Sequence, residues 1–236
     1  MSDPDDDSYP DMNAIRDAQN KPRPNAVFTS GSVLVDAFRA GMKVDHAMWH
    51  DGTGYKLDLL NGASAAEKVM IEQLLVPPSG WRDVEALAAL DTDTARAALH
   101  KALQSTNTEV RAAVISHAPS VASDAERSET MLRALNHGQF FDDLSSVLDQ
   151  VEEFHPPEIV NALFRGLLVR PGEIATNYAA MLAFVHGRAE STFDWDLRPL
   201  FLKFNTDDGA ERTQAFEELC ALLDLDPAEV TTRMKQ

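Results

Sequence analysis

The chain has 236 residues, 44% of them apolar, enough to bury a real core in one large domain or a smaller one with an appendage. A formal net charge of −17, from 38 Asp and Glu against 21 Lys and Arg, opposes nucleic-acid binding and docking on an anionic membrane, both of which need cations. The acidity suits a chain that attracts a basic partner, and the single cysteine, Cys220, excludes a disulfide within the chain.

Residues 1–25 are acidic, carry Pro4, Pro10, Pro22 and Pro24, and read as a flexible tail, the opposite of a signal peptide. A helical segment is expected over 26–62. Val33, Leu34, Ala37 and Phe38 form its apolar side, and Asp51-Gly52-Thr53-Gly54 follows as a loop. Ser64-Ala65-Ala66-Glu67 fits a capping box opening a helix through Val76, which Pro77-Pro78-Ser79-Gly80 ends. Helices are expected at Trp81–Leu90, Asp93–Gln104 and Thr108–Ala118. Ser123-Asp124-Ala125-Glu126 is a second capping box. Phe140–Phe154 is the next helix, Pro156-Pro157 starts another, and Pro171-Gly172 separates it from Glu173–His186. After residue 188 the chain turns aromatic, with Phe193, Trp195, Phe201 and Phe204, before a helix from about Gly209. No sustained alternation argues for a sheet, and no apolar run approaches the ~20 residues that span a bilayer. The expected class is all-α, in the cytoplasm.

Arg96-Ala97-Ala98-Leu99 and Arg111-Ala112-Ala113-Val114 are similar runs on neighbouring helices joined by the polar turn Ser105–Asn107. Such a hairpin cannot bury its own apolar face, and stacking on further hairpins is the logic of an α-solenoid. The pairs recur at roughly 30-residue intervals, within the range of helical repeats. Thr108-Glu109-Val110-Arg111-Ala112-Ala113 resembles the core motif of HEAT-like repeat proteins, and Thr94-Ala95-Arg96-Ala97-Ala98 is a weaker copy. The resemblance implies stacked repeats over 63–187, with 188–236 as an aromatic-rich helical cap.

Motifs with chemistry of their own fail on inspection. Asp3-Asp5-Asp7 begins like a calcium loop but has Ser8 and Ala14 at the required Gly and Glu positions. Gly52-Thr53-Gly54 has Leu57 where a dinucleotide fingerprint needs its third Gly. There is no Walker loop and no G-x-S-x-G elbow. His46 and His50 are spaced for one helix face, but Ala47 stands where H-E-x-x-H needs Glu, so ordinary surface or half-buried histidines are expected. Among HEAT-like enzymes, the metal-dependent hydroxylases use His-Glu dipeptides, and none of the seven histidines precedes Glu. The related alkylpurine glycosylases need a basic groove, which this composition opposes. No catalytic residue, cofactor or metal is assigned, and bilin lyase-like or general scaffold roles stand as alternatives.

The leading functional feature is electrostatic. No Lys or Arg lies between Arg133 and Arg165, whereas Asp142, Asp143, Asp149, Glu152, Glu153 and Glu158 do. On a helix turning about 100° per residue, Leu144, Val147, Leu148, Val151 and Phe154 form an apolar stripe, and Asp142, Ser146, Asp149 and Glu153 fall opposite it. This ridge, with Glu152, is the candidate partner surface. Asp194, Trp195 and Asp196 are a second candidate, against the expectation that Trp195 is buried in the cap. Together with the Arg111 motif, the small acidic chain is similar to the HEAT-repeat immunity proteins of bacterial polymorphic toxins. That resemblance implies a protein that binds a basic toxin domain and occludes it, with no turnover.

Overall fold

The computed structural model describes residues 30–138, 144–192 and 194–235. Every regular element among them is helical and none is a strand, as the all-α expectation requires. None of these helices is long and apolar enough to cross a membrane. The chain divides into two compact units after Val110.

The first unit holds α1 (Val33–Gly41), α2 (His46–His50), a 3-10 turn (Leu57–Gly62), α3 (Ala65–Leu75), α4 (Trp81–Leu90), α5 (Asp93–Ala102) and the start of α6 (Thr108–His117). Local hydrogen bonds set the helix starts. The N–H groups of Val35, Met48 and Ala95 donate to the side chains of Ser32, Asp45 and Thr92. Ser64 and Glu67 close the anticipated capping box. Each such cap stabilises by about 1 kcal/mol. α1 packs on α3, α3 on α4, and α4 on α5.

The inner face of α1 corrects the expected stripe. Val33 is 88% exposed and Ala37 is exposed, while Val35 and Phe38 are buried. Phe38 sets its edge against the Tyr55 ring, with centroids 5.9 Å apart. That contact selects a face about one residue's rotation away from the one the periodicity suggested.

Glu67 also ties α1 to α3. Its carboxylate accepts from Ser32 Oγ at 2.6 Å, from Ser64 N at 2.8 Å and from Ser64 Oγ at 2.7 Å. The Ser32 bond first, then the two from Ser64, hold its pKa below the ordinary 4.5. A carboxylate depressed on folding contributes stability above its unfolded pKa and loses it as pH falls through the folded value. Stability of the wild type should therefore fall as pH drops below 4.5. Glu67→Gln should be less stable at neutral pH and show a shallower acid decline. Denaturant midpoints measured across that range check this; parallel acid limbs would refute it.

The second unit contains the rest of α6, then α7 (Asp124–His137), α8 (Ser145–Glu153), α9 (Pro157–Val169), α10 (Gly172–Val185), α11 (Arg198–Phe201), a 3-10 turn (Leu202–Phe204), α12 (Gly209–Leu222) and α13 (Pro227–Arg233). Ser123 and Glu126 form the second capping box. Asp226 caps α13 and Pro227 sits in its first turn, a position that tolerates proline. α7 packs on α9, α8 on α10, α9 on α10, and α12 on α9.

α9 and α10 approach closely because position 166 is glycine: a Cβ there would lie 2.3 Å from Tyr178 Cε2. Tyr178 is fully buried and donates its hydroxyl to the Leu135 carbonyl at 2.6 Å. Buried Arg170 donates to the carbonyls of Asn136 and Gly138, and Arg212 Nη1 donates to that of Arg170 at 2.5 Å. Long-range side-chain to main-chain bonds of this kind satisfy carbonyls that helix ends leave open. Phe201, Phe204 and Cys220 are fully buried, and burial pushes the Cys220 thiol up to about 11. Cys220 is therefore a packing residue with its proton in place.

Candidate functional site

α8 has the sequence SSVLDQVEE, three acids and no base. Val147, Leu148 and Val151 are buried, so the helix is held by one apolar stripe. Asp149, Glu152 and Glu153 are exposed and Ser146 is half-buried. At about 100° per residue these four span about a third of the helix circumference. Asp142 lies outside the described residues, as does its neighbour Asp143.

The charges of α8 oppose its own dipole. Glu152 and Glu153 occupy the last turn, where the helix carries partial negative charge and a cation would be stabilising. At the other end, Leu144 stands in the cap position with no side-chain hydrogen bond to the helix. Nor do the described residues around the ridge form ion pairs with it. None of the ion pairs among the described residues involves Asp149, Glu152 or Glu153.

One cation does approach from α7, which the sequence could not place. Arg127 donates Nη2 to Gln150 at 2.8 Å, and its guanidinium lies 4.4 Å from the Phe154 ring centroid. It is engaged with those two groups rather than with the ridge. Similarly, Glu158 accepts from Ser128 at 3.0 Å.

The second candidate is resolved against the burial expectation. Trp195 is 74% exposed, with Arg198 stacked at 5.0 Å from its ring centroid. Asp194 Oδ1 accepts the Asp196 N–H at 2.9 Å, and its other oxygen accepts from Glu190 N at 3.4 Å, shaping a turn that turns the indole out. Asp196 is exposed and Asp194 half-buried, while Phe193 lies outside the described residues. The aromatic segment thus splits, with Phe201 and Phe204 inside and Trp195 outside. An exposed Trp stacked by Arg joins two residue types enriched at binding hot spots.

Among the described residues of the first unit, Asp83 is the most enclosed carboxylate. It accepts from Tyr55 Oη at 3.0 Å, Ser79 N at 2.8 Å and Ser79 Oγ at 2.9 Å. Beside it, Arg82 donates to the carbonyls of Thr53 at 2.8 Å and Met48 at 3.0 Å. Burial lowers the Arg82 pKa, against nearby Tyr55, Glu109, Glu85 and Asp83. The cleft over these groups, lined by Val44, Tyr55 and Trp81 among others, has a volume of ≈ 10 Å³. That is room for about one water. The cluster pins the 51–54 loop to α4. No group of three or more His, Cys, Asp or Glu among the described residues is arranged to hold a metal.

No protein-family model matches the chain, and neither a curated protein nor a solved structure is detectably similar to it.

Proposed function

We propose that the chain is a non-enzymatic binding module that docks a basic protein partner on the acidic face of α8. The observation that carries this reading is the placement of Asp149, Glu152 and Glu153. They are exposed, outside any ion pair among the described residues, and set partly where the helix dipole opposes them. A surface helix gains nothing in stability from that arrangement. Breaking a local rule without compensation is expected at functional sites. A net charge of −17 adds long-range steering toward a cationic surface.

The same reading takes the scaffold as an α-solenoid of HEAT-like pairs. It is supported by α7 packing on α9 and α8 on α10, with α9 and α10 paired: first helices on first, second on second. The segment after residue 188 then acts as the terminal cap, and exposed Trp195 adds an aromatic anchor on that element. By its resemblance to immunity proteins of polymorphic toxins, the module protects the cell by covering a toxin domain. Protection is then stoichiometric: one equivalent silences the partner and a catalytic trace does not. Titration into the captured partner reads this directly, and protection at trace levels would replace binding with catalysis.

The ridge itself has a sharper test. Asp149→Lys/Glu153→Lys should slow association at low salt and flatten its salt dependence. The Glu153 change should at the same time stabilise the free protein by about 0.3–1 kcal/mol, because it places a cation at the helix C-terminus. A merely solvated helix face predicts the gain in stability without the loss in rate. Unchanged association kinetics in the double variant remove the ridge from the interface.

A further inference from the structure

We infer that His46 and His50 form a surface site for a divalent transition-metal ion, oriented by Asp51. The two histidines lie one turn apart on α2, both exposed. Their rings are stacked, with centroids 6.1 Å apart and planes within 17°. Spacing alone is a weak signal, since any i,i+4 pair shares a face. The contact to Asp51 adds chemistry to it. His50 Nδ1 lies 2.9 Å from Asp51 Oδ1. An ionised carboxylate only accepts, so Nδ1 is the donor of this contact and Nε2 is the nitrogen left to face a ligand. A carboxylate on the far nitrogen is the usual outer partner of a metal-bound imidazole, fixing its tautomer and raising its basicity.

The separation of the two rings is within reach of one ion, although their stacking must be undone. With metal–nitrogen bonds of about 2.0–2.1 Å, two imidazoles on one tetrahedral ion place their ring centroids about 5 Å apart. The exposed rings need to turn out of their near-parallel stack, so that both planes pass through the ion, and to close by about 1 Å; no burial opposes that rotation. Two nitrogens select borderline ions such as Cu²⁺, Ni²⁺ or Zn²⁺ over the oxygen-seeking Mg²⁺ and Ca²⁺. Water fills the remaining positions, since no third His, Cys, Asp or Glu among the described residues completes a set. This site is independent of α8 and of the binding function proposed for it.

Trp49 supplies a built-in reporter, its ring centroid 6.2 Å from that of His46. The test titrates Cu²⁺, and then Zn²⁺, into the full chain by calorimetry and by tryptophan fluorescence. The expected result is one saturable equivalent, tightest for Cu²⁺, with quenching that Trp49→Phe removes. His46→Ala and His50→Ala should each weaken binding at least tenfold, and Asp51→Asn by about 10-fold, the usual cost of losing an outer partner. All three positions are exposed, so the variants should keep the wild-type helical circular dichroism. Zn²⁺ affinity that survives both histidine substitutions would assign the ion to other groups of the chain and overturn the site, as would the absence of saturable binding.

Discussion

Val114→Asp should destabilise the protein by on the order of ~3 kcal/mol or more, the scale of a buried charge without a partner. Val114 is fully buried on α6, and the run from Val110 to Ile115 is buried all round that helix. No rotation of α6 can bring a carboxylate at 114 to water without exposing other apolar residues. The control is Ala97 on α5, which stands in the similar Arg-Ala-Ala run but is exposed. Ala97→Asp should stay within about 0.5 kcal/mol of wild type. Urea unfolding of both variants checks the pair. Equal losses would mean that the burial of Val114 does not set the cost.

Gly166→Ala should also destabilise, against the intrinsic preference of a helix for alanine. Propensity favours Ala by about 0.8–1.0 kcal/mol. The added methyl, however, would sit 2.3 Å from Tyr178 Cε2 and 2.4 Å from Cδ2. The ring cannot swing aside, because it is fully buried and its hydroxyl is anchored on the Leu135 carbonyl. Overpacking of this kind costs about 1–3 kcal/mol, and a rigid aromatic contact below 3 Å puts the site at the upper end. The decisive measurement is a double-mutant cycle with Tyr178→Leu. In that background Gly166→Ala should become neutral or stabilising. An unchanged penalty would place the strain elsewhere.

Much of the helical order is legible in the sequence, because helix ends are made by groups within four residues of one another. Ser64 with Glu67, Ser123 with Glu126, Pro157 in a first turn and the Pro77–Gly80 break all do locally what their residue types suggest. The acidic exposure of α8 is legible for the same reason: Val147, Leu148 and Val151 define one stripe, and Asp149 and Glu153 must then lie off it. Which face turns inward is not a local property. Val33 is out and Val35 in because Tyr55, twenty residues on, receives Phe38. Arg96 stays at the surface between Asp91 and Asp93, whereas Arg111 in the similar run is buried. Arg127 reaches α8 from another helix, Trp195 stands outside the aromatic cluster it belongs to in sequence, and Asp51 orients His50. Amphipathic periodicity sets an apolar face only to within a residue or so of rotation. Contacts between groups far apart in the chain, each burying area or satisfying a polar atom, select the final one.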